Sequence, residues 1–143
     1  MADRSVVLVV EDEILVQTSL CTTLTLVGFS THRADCVEAA LRILGAEHVD
    51  AVLLDIRLPD SRGQQRSGLT LLAFLRATAE YAQVPVLIFT GVPLLDEEEA
   101  LARKYDAQIF YKPTPYATLI DTLAKMLAIQ RAPARGSSDS GRR

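Results

Sequence analysis

Three short, continuous runs of apolar residues constrain the fold of this chain more than any other feature. They are SVVLVV at 5–10, AVLLD at 51–55 and VPVLIFT at 84–90, and they are rich in Val, Ile and Leu. Each run is too short for a helix and lacks the alternation of apolar and polar residues seen in half-exposed strands. Strands that are apolar at successive positions are covered on both faces. The sequence therefore predicts a buried parallel sheet.

Segments with the helical spacing of apolar residues separate these runs. EILVQTSLCTTLTLVG closes on Gly28 and DCVEAALRILG closes on Gly45, and glycine commonly follows the last turn of a helix. Asp35 and Glu38 resemble a capping box, so we expect the second helix to open on Asp35. Further helices are predicted at 68–81, 94–105 and 115–130, with weaker strands at 29–34 and 107–112.

Five successive strand–helix units predict an α/β fold with a doubly wound parallel sheet. Right-handed crossovers place helices on both faces of such a sheet, which gives three layers. The functional crevice of these folds lies beyond the carboxyl ends of the strands. Polar residues end four of the predicted strands, and we expect them to meet at that edge: Glu11 and Asp12, Asp55, Thr90 and Lys112.

The residue types at this edge predict a metal site and a phosphoryl site. Three neighbouring carboxylates repel one another, so a divalent cation is expected to compensate them. Oxygen ligands suit Mg²⁺, Mn²⁺ or Ca²⁺ rather than zinc, and Mg²⁺ suits a site that a phosphoryl group shares. The Thr90 hydroxyl and the Lys112 ammonium supply donors and countercharge to phosphoryl oxygens, and Asp55 is the candidate nucleophile.

Composition argues against several other classes of protein. The chain has 143 residues, 49% of them hydrophobic, which suits one domain with its own core. A net charge of −3 provides no basic surface for nucleic acid. No apolar run approaches the ~20 residues that span a bilayer, and no signal peptide is evident, so we expect a cytoplasmic protein without membrane contact. Cys21 and Cys36 are expected to be structural thiols.

Four motifs resemble those of the receiver domains of two-component response regulators. They are VLVVEDE, LLDIRLP, VLIFTG and YKP, and the resemblance covers about residues 5–130. It implies a flavodoxin-like (βα)5 fold whose parallel sheet has the strand order 2-1-3-4-5. It also implies a phosphoprotein of a phosphorelay, which takes its phosphoryl group from a sensor histidine kinase or a histidine phosphotransfer protein.

The resemblance implies a role for each motif residue at the phosphoryl site. Asp55 is similar to the phosphoacceptor of the family. Thr90 resembles the switch hydroxyl, and Lys112 resembles the phosphate-binding lysine. Pro113 resembles the proline of the Lys-Pro pair, whose cis bond would aim the lysine into the site.

The resemblance also implies a metal shell for Mg²⁺, or Mn²⁺ in its place. Glu11 and Asp12 are similar to the acidic pair of the family, with Asp12 as a direct ligand and Glu11 acting through water. Asp55 and the backbone carbonyl of Arg57 would complete the shell.

Two features depart from the pattern of the family. Ile109 stands where an aromatic switch residue is usual, and strand alternation predicts that Phe110 faces the other side of the sheet. The family spacing predicts a glycine at Gly63 before the third helix, whereas the matching helix begins five positions later at Gly68. We expect the inserted segment to cover the phosphorylated site with its arginines, which are Arg57, Arg62 and Arg66. Docking of the kinase and a solvated loop without a role are the alternatives.

We interpret the chain as a stand-alone receiver, similar to chemotaxis regulators, that is a signalling domain and not an enzyme. Residues 1–130 are expected to form the receiver, and 131–143 to be a disordered tail too short for an output domain. Phosphorylation would then gate binding to a downstream protein.

Two alternatives stay open. A phosphatase of the aspartyl-phosphate type needs a second Asp where Arg57 stands. A phosphorylation-independent adaptor would keep the fold without the switch, and Ile109 and the insertion favour that alternative.

Overall fold

The structure, a computed structural model, describes residues 4–59 and 65–131, except for the side chains of 65–67 and 131. The strands are β1 (Val6–Val10), β2 (Ser30–Ala34), β3 (Ala51–Leu54), β4 (Arg57–Pro59), β5 (Gln65–Ser67), β6 (Val86–Thr90) and β7 (Gln108–Tyr111). The α-helices are α1 (Ile14–Leu26), α2 (Val37–Ala46), α3 (Leu69–Ala77), α4 (Asp96–Lys104) and α5 (Tyr116–Arg131). A 3-10 turn, Ala79–Tyr81, follows α3.

Five of these strands form one parallel sheet in the order β2-β1-β3-β6-β7. Without the short strands β4 and β5, this is the order 2-1-3-4-5, so the predicted doubly wound fold is confirmed. Every residue of β3 and β6 is buried, as their continuous apolar sequences predict. The central strands β1 and β3 lie side by side, which places their carboxyl ends together.

Alternate residues of the central strands enter two separate hydrophobic cores. Leu8 and Val52 lie in the core beneath α2, α3 and α4. Val7 and Leu53 lie in the core beneath α1 and α5. A fully buried Leu or Val contributes roughly 1.5–3 kcal/mol, so both helical layers stabilise the sheet.

Two predicted helix limits are wrong. Helix α2 begins after Cys36, whose Sγ accepts a hydrogen bond from the Ala39 amide at 3.4 Å, so Asp35 is not its cap. The helix predicted at 68–81 is divided, because Thr78 has extended backbone angles (φ −103°, ψ 120°) that end α3 at Ala77. These limits depend on local hydrogen bonds that the spacing of apolar residues does not encode.

The inserted segment between β3 and α3 contains an antiparallel hairpin formed by β4 and β5. Arg57 pairs with Ser67, and Leu58 is fully buried at the base of the hairpin. Residues 60–64, which include Gly63 and Arg62, lie outside the described residues, as does the tail from 132 onward. Within the described ranges, none of the helices combines the length and the apolar character that a membrane span requires.

Candidate functional site

The carboxyl edge of the sheet is held in register by hydrogen bonds just beyond the strand ends. The Glu11 amide donates to the Ala34 carbonyl at 2.9 Å, and the Asp55 amide donates to the Val10 carbonyl at 3.0 Å. The Lys112 amide donates to the Thr90 carbonyl at 2.9 Å. The main chain therefore brings the predicted strand-end residues to one edge.

Three carboxylates gather at this edge. Oxygen atoms of Glu11, Asp12 and Asp55 lie within 4.8 Å of one another. Burial raises the pKa of Glu11, and the negative charge of Asp55 adds to that effect. Desolvation likewise raises the pKa of Asp12, and the negative charges of Asp55 and Glu13 raise it further. A cluster that resists full ionisation in this way favours a bound cation.

The chemistry of the donor set fits a hard divalent cation. Glu11 and Asp55 are buried, whereas Asp12 is exposed at the rim, so the cluster is open to solvent on one side. All three residues offer carboxylate oxygen, which suits Mg²⁺ or Mn²⁺ better than zinc. This arrangement agrees with the oxygen-ligand metal site that the sequence predicts.

The Lys112 ammonium lies among three carboxylates, two from the β1–α1 connection and one from the end of β3. Its Nζ donates to Glu11 Oε1 at 2.9 Å, to Glu13 Oε1 at 3.0 Å and to Asp55 Oδ2 at 3.3 Å. Burial lowers the pKa of Lys112, but these hydrogen bonds and negative charges outweigh burial and raise the pKa above its usual range. Glu13, the second glutamate of the VLVVEDE motif, was not predicted as part of the site.

Lys112 precedes a cis peptide bond to Pro113, the isomer that the resemblance implied. Its Nζ lies 5.6 Å from the centre of the Phe89 ring, so the side chain crosses the end of β6 on its way to the acidic cluster. Gly91 lies beside this path, and a β-carbon there would make an ordinary van der Waals contact of 3.6 Å with Lys112 Cδ.

Thr90 ends β6 and is fully buried. Among the described residues, its Oγ1 has no hydrogen-bond partner. A buried hydroxyl without a partner is unfavourable by about 1–3 kcal/mol. Such a group is expected where a ligand oxygen accepts the hydrogen bond.

The residues of β7 face alternate sides of the sheet. Ile109 packs against the core beneath α2, α3 and α4, whereas Phe110 packs against the core beneath α1 and α5. The predicted orientation of Phe110 is therefore confirmed. Tyr111 returns to the side of Ile109, is 39% exposed, and donates from its hydroxyl to Glu99 Oε2 at 3.2 Å. The aromatic contact with α4 thus comes from Tyr111, which was not predicted as a site residue.

The Arg57 side chain contacts α4 rather than the acidic cluster. Its guanidinium donates to Glu98 Oε2 at 2.7 Å and to Glu98 Oε1 at 2.9 Å. Its backbone amide donates to Asp55 Oδ1 at 3.2 Å. Of the three arginines expected to cover the site, Arg62 and the side chain of Arg66 lie outside the described part of the chain.

Gln17 is a buried polar residue that sequence analysis did not identify. Its Nε2 donates to the Glu11 carbonyl at 2.9 Å and to the Ala34 carbonyl at 3.3 Å. It therefore links the end of β1, next to the acidic cluster, to the end of β2. The only sequence signal for Gln17 was its position among the apolar residues of α1, because a buried polar side chain usually needs a hydrogen-bond partner.

The sequence matches the family model of the response regulator receiver domain over residues 7–124. It is 32% identical over 135 residues to the response regulator protein FleR of Pseudomonas aeruginosa, covering 94% of this chain and 26% of that protein. It is also 32% identical over 137 residues to the response regulator MprA of Mycolicibacterium vanbaalenii, covering 94% of this chain and 54% of that protein. The chain thus spans only part of the length of these relatives.

Solved structures with the same fold include two receivers. A CheY-like receiver domain protein from Methanospirillum hungatei superposes with a TM-score of 0.79 at 22% identity, covering 90% of this chain and 97% of that one. The chemotaxis protein CheY4 of Vibrio cholerae superposes with a TM-score of 0.75 at 22% identity, covering 87% of this chain and 99% of that one. These likenesses show the fold.

Proposed function

Because this chain belongs to the family of response regulator receiver domains, we propose that it signals through transient phosphorylation of Asp55. One observation carries the proposal: the buried Asp55 carboxylate lies 3.3 Å from the Lys112 ammonium, at the edge where the buried Thr90 hydroxyl lacks a partner. Receiver domains interact with histidine kinases or histidine phosphotransfer proteins, so a phosphohistidine is the proposed donor.

In the proposed reaction, a carboxylate oxygen of Asp55 attacks the phosphorus of the phosphohistidine. The new P–O bond forms as the P–N bond breaks, and the imidazole nitrogen keeps the electron pair of the broken bond. Lys112 and Thr90 would stabilise the phosphoryl oxygens, because phosphoryl transfer depends on positioning and countercharge.

The metal shell proposed for this site consists of Glu11, Asp12, Asp55 and the backbone carbonyl of Arg57. When bound, Mg²⁺ supplies positive charge that balances the transferred phosphoryl group. The raised pKa values of Glu11 and Asp12 support this assignment, since both carboxyl groups gain from a nearby cation.

The test is the incubation of the chain with acetyl phosphate and Mg²⁺, followed by intact mass spectrometry. We expect one added phosphoryl group, with acetate as the leaving group. Asp55→Asn should prevent the addition because an amide is a poor nucleophile, and exposed Asp96→Asn is the matched control that should leave it unchanged. Labelling that survives in Asp55→Asn would refute the site.

We further infer that the output is a phosphorylation-gated contact with another protein, made by residues 1–130. A phosphorylation-independent adaptor is the second candidate, and it is favoured by the aliphatic Ile109, which packs against the core where an aromatic residue is usual. A partner captured equally well by the phosphorylated chain and by Asp55→Asn would support the adaptor. The phosphatase alternative gains no support, because the Arg57 side chain pairs with Glu98.

A further inference from the structure

We propose that Glu98 holds the Arg57 guanidinium in the unphosphorylated chain, and that phosphorylation of Asp55 draws this guanidinium to the phosphoryl group. The exchange releases the first turn of α4. This inference rests on the proposed function of Asp55 and adds a regulatory role for two residues near it.

Arg57 contacts both the candidate phosphoacceptor and helix α4. Its backbone amide donates to the Asp55 carboxylate at 3.2 Å. Its guanidinium makes two hydrogen bonds with Glu98, of 2.7 Å and 2.9 Å. One residue thus joins the candidate phosphoacceptor to a helix that lies 41 positions away in the sequence.

Glu98 also holds the start of α4. Its Oε1 accepts a hydrogen bond from the Leu95 amide at 2.8 Å, in addition to the one from Arg57. Leu95 precedes the helix and has an apolar side chain, so it cannot cap the helix itself. Removing Arg57 from Glu98 therefore changes the environment of the residue that fixes this helix end.

The negative charge of a phosphoryl group favours the transfer of the guanidinium. A phosphoryl group carries a charge of about −1.5 to −2, and phosphate oxygens accept bidentate hydrogen bonds from arginine as carboxylates do. Phosphorylation would place these oxygens on the carboxylate that the Arg57 backbone already contacts. The Arg57 side chain is 34% exposed, so it is not fixed in the core. The proposed exchange requires rotation of this side chain from Glu98 toward Asp55.

The exchange would change the balance of charge at the start of α4. Its first turn contains four acidic residues, Asp96, Glu97, Glu98 and Glu99. Arg57 neutralises part of this charge while it is bound, and its departure leaves like charges on adjacent positions. With Ile109 in place of an aromatic residue, the ion pair offers a physical link between the phosphoryl site and the α4 surface.

The experiment follows two nitrogen signals by heteronuclear NMR, the Arg57 Nε and the Leu95 backbone amide. We expect both to shift when acetyl phosphate and Mg²⁺ are added together, and neither to shift as far with Mg²⁺ alone or in Asp55→Asn. Phosphorylation seen by mass without these shifts would overturn the inference and leave the proposed function standing. Absence of phosphorylation would overturn both.

A second measurement follows the decay of the aspartyl phosphate in a double-mutant cycle. Glu98→Gln removes the ion pair that competes with the phosphoryl group for Arg57, so the guanidinium should stay on the phosphoryl group longer. The decay should then slow by roughly two- to fivefold, the range that a partly exposed ion pair provides. Glu97→Gln, on the same turn and exposed, is the matched control and should decay like the unmodified chain. In the Arg57→Ala background, Glu98→Gln should have no effect, and an equal effect there would contradict the exchange.

Discussion

Gly68 packs directly against the backbone carbonyl of Asp55. A β-carbon at Gly68 would overlap that oxygen and would lie 3.1 Å from Leu54 Cδ1 and 3.2 Å from Ile56 Cα. The Gly68 amide also donates to the Ile56 carbonyl. The start of α3 therefore returns to the end of β3, and the β4–β5 hairpin leaves and rejoins the fold at this contact.

We first predict that Gly68→Ala destabilises the chain by about 1–3 kcal/mol, because the added carbon meets backbone atoms that cannot move aside easily. Chemical denaturation measures this loss. Gly45→Ala is the control, since nothing lies within 4 Å of its β-carbon position and alanine favours the helix by roughly 0.5–1 kcal/mol. Equal stability of the two variants would contradict the contact.

We next predict that Asp12→Ala lowers the affinity for Mg²⁺ while the metal-free chain becomes more stable. The substitution removes a carboxylate whose pKa is raised by desolvation and by the charges of Asp55 and Glu13. Calorimetry measures Mg²⁺ binding, and thermal unfolding with chelator measures stability. Glu97→Ala, which removes an exposed charge outside the cluster, should leave Mg²⁺ binding unchanged. Unaltered binding by Asp12→Ala would exclude Asp12 as a ligand.

Lys112→Ala should slow phosphorylation by about 100-fold, the usual effect of losing one charge-stabilising donor. It should also raise the pKa of Glu11 further, because the 2.9 Å hydrogen bond from Nζ is lost. Mass spectrometry of labelling by acetyl phosphate gives the rate. Lys125→Ala removes a lysine that pairs with Asp121 on the surface, and its rate should match the unmodified chain. A normal rate in Lys112→Ala would remove the lysine from the mechanism.

Shortening the hairpin tests whether the inserted segment covers the phosphoryl site. Replacing residues 59–65 by Asn-Gly removes five residues, suits a two-residue hairpin turn and keeps Gly68 in place. We expect the aspartyl phosphate to decay faster in this variant, with the initial phosphorylation little changed. Decay at the original rate in a folded variant would show that the segment does not shield the site.

A pH-dependent prediction concerns Tyr81, whose hydroxyl donates to the Leu44 carbonyl at 2.7 Å. Burial raises the pKa of Tyr81 above its ordinary value of 10.0, and the charge of Glu80 adds to this. A raised pKa means that the stabilisation is complete below pH 10 and is lost as the pH rises through the folded-state value. Tyr81→Phe should therefore cost about 1–3 kcal/mol at pH 7 and less in alkaline solution.

Denaturant unfolding at several pH values measures this difference. Tyr105→Phe, at a half-buried position, is the control and should change the stability by less than about 0.5 kcal/mol. A cost of Tyr81→Phe that is the same at neutral and at strongly alkaline pH would contradict the prediction.

The spacing of apolar residues was sufficient to predict the layered sheet and the edge at which the polar residues meet. That spacing did not predict the helix limits that local contacts decide. The cap of α2 is Cys36 and not Asp35, and α3 ends at Ala77 and not at Tyr81. Gly68, which was predicted to begin the third helix, also supplies the close approach to Asp55, and no periodicity signals that requirement.

The sequence by itself determined the order of the five strands of the parallel sheet and the five helices, and the strand-end positions of Asp55, Thr90 and Lys112, because these are repeating or local properties of the chain. It did not predict the β4–β5 hairpin. Only the tertiary structure decided that Glu13 shares Lys112 with Glu11, across 99 and 101 positions, and that Arg57 pairs with Glu98 across 41. Such pairs depend on how helices pack on the sheet, since side chains far apart in sequence meet only after the layers have formed.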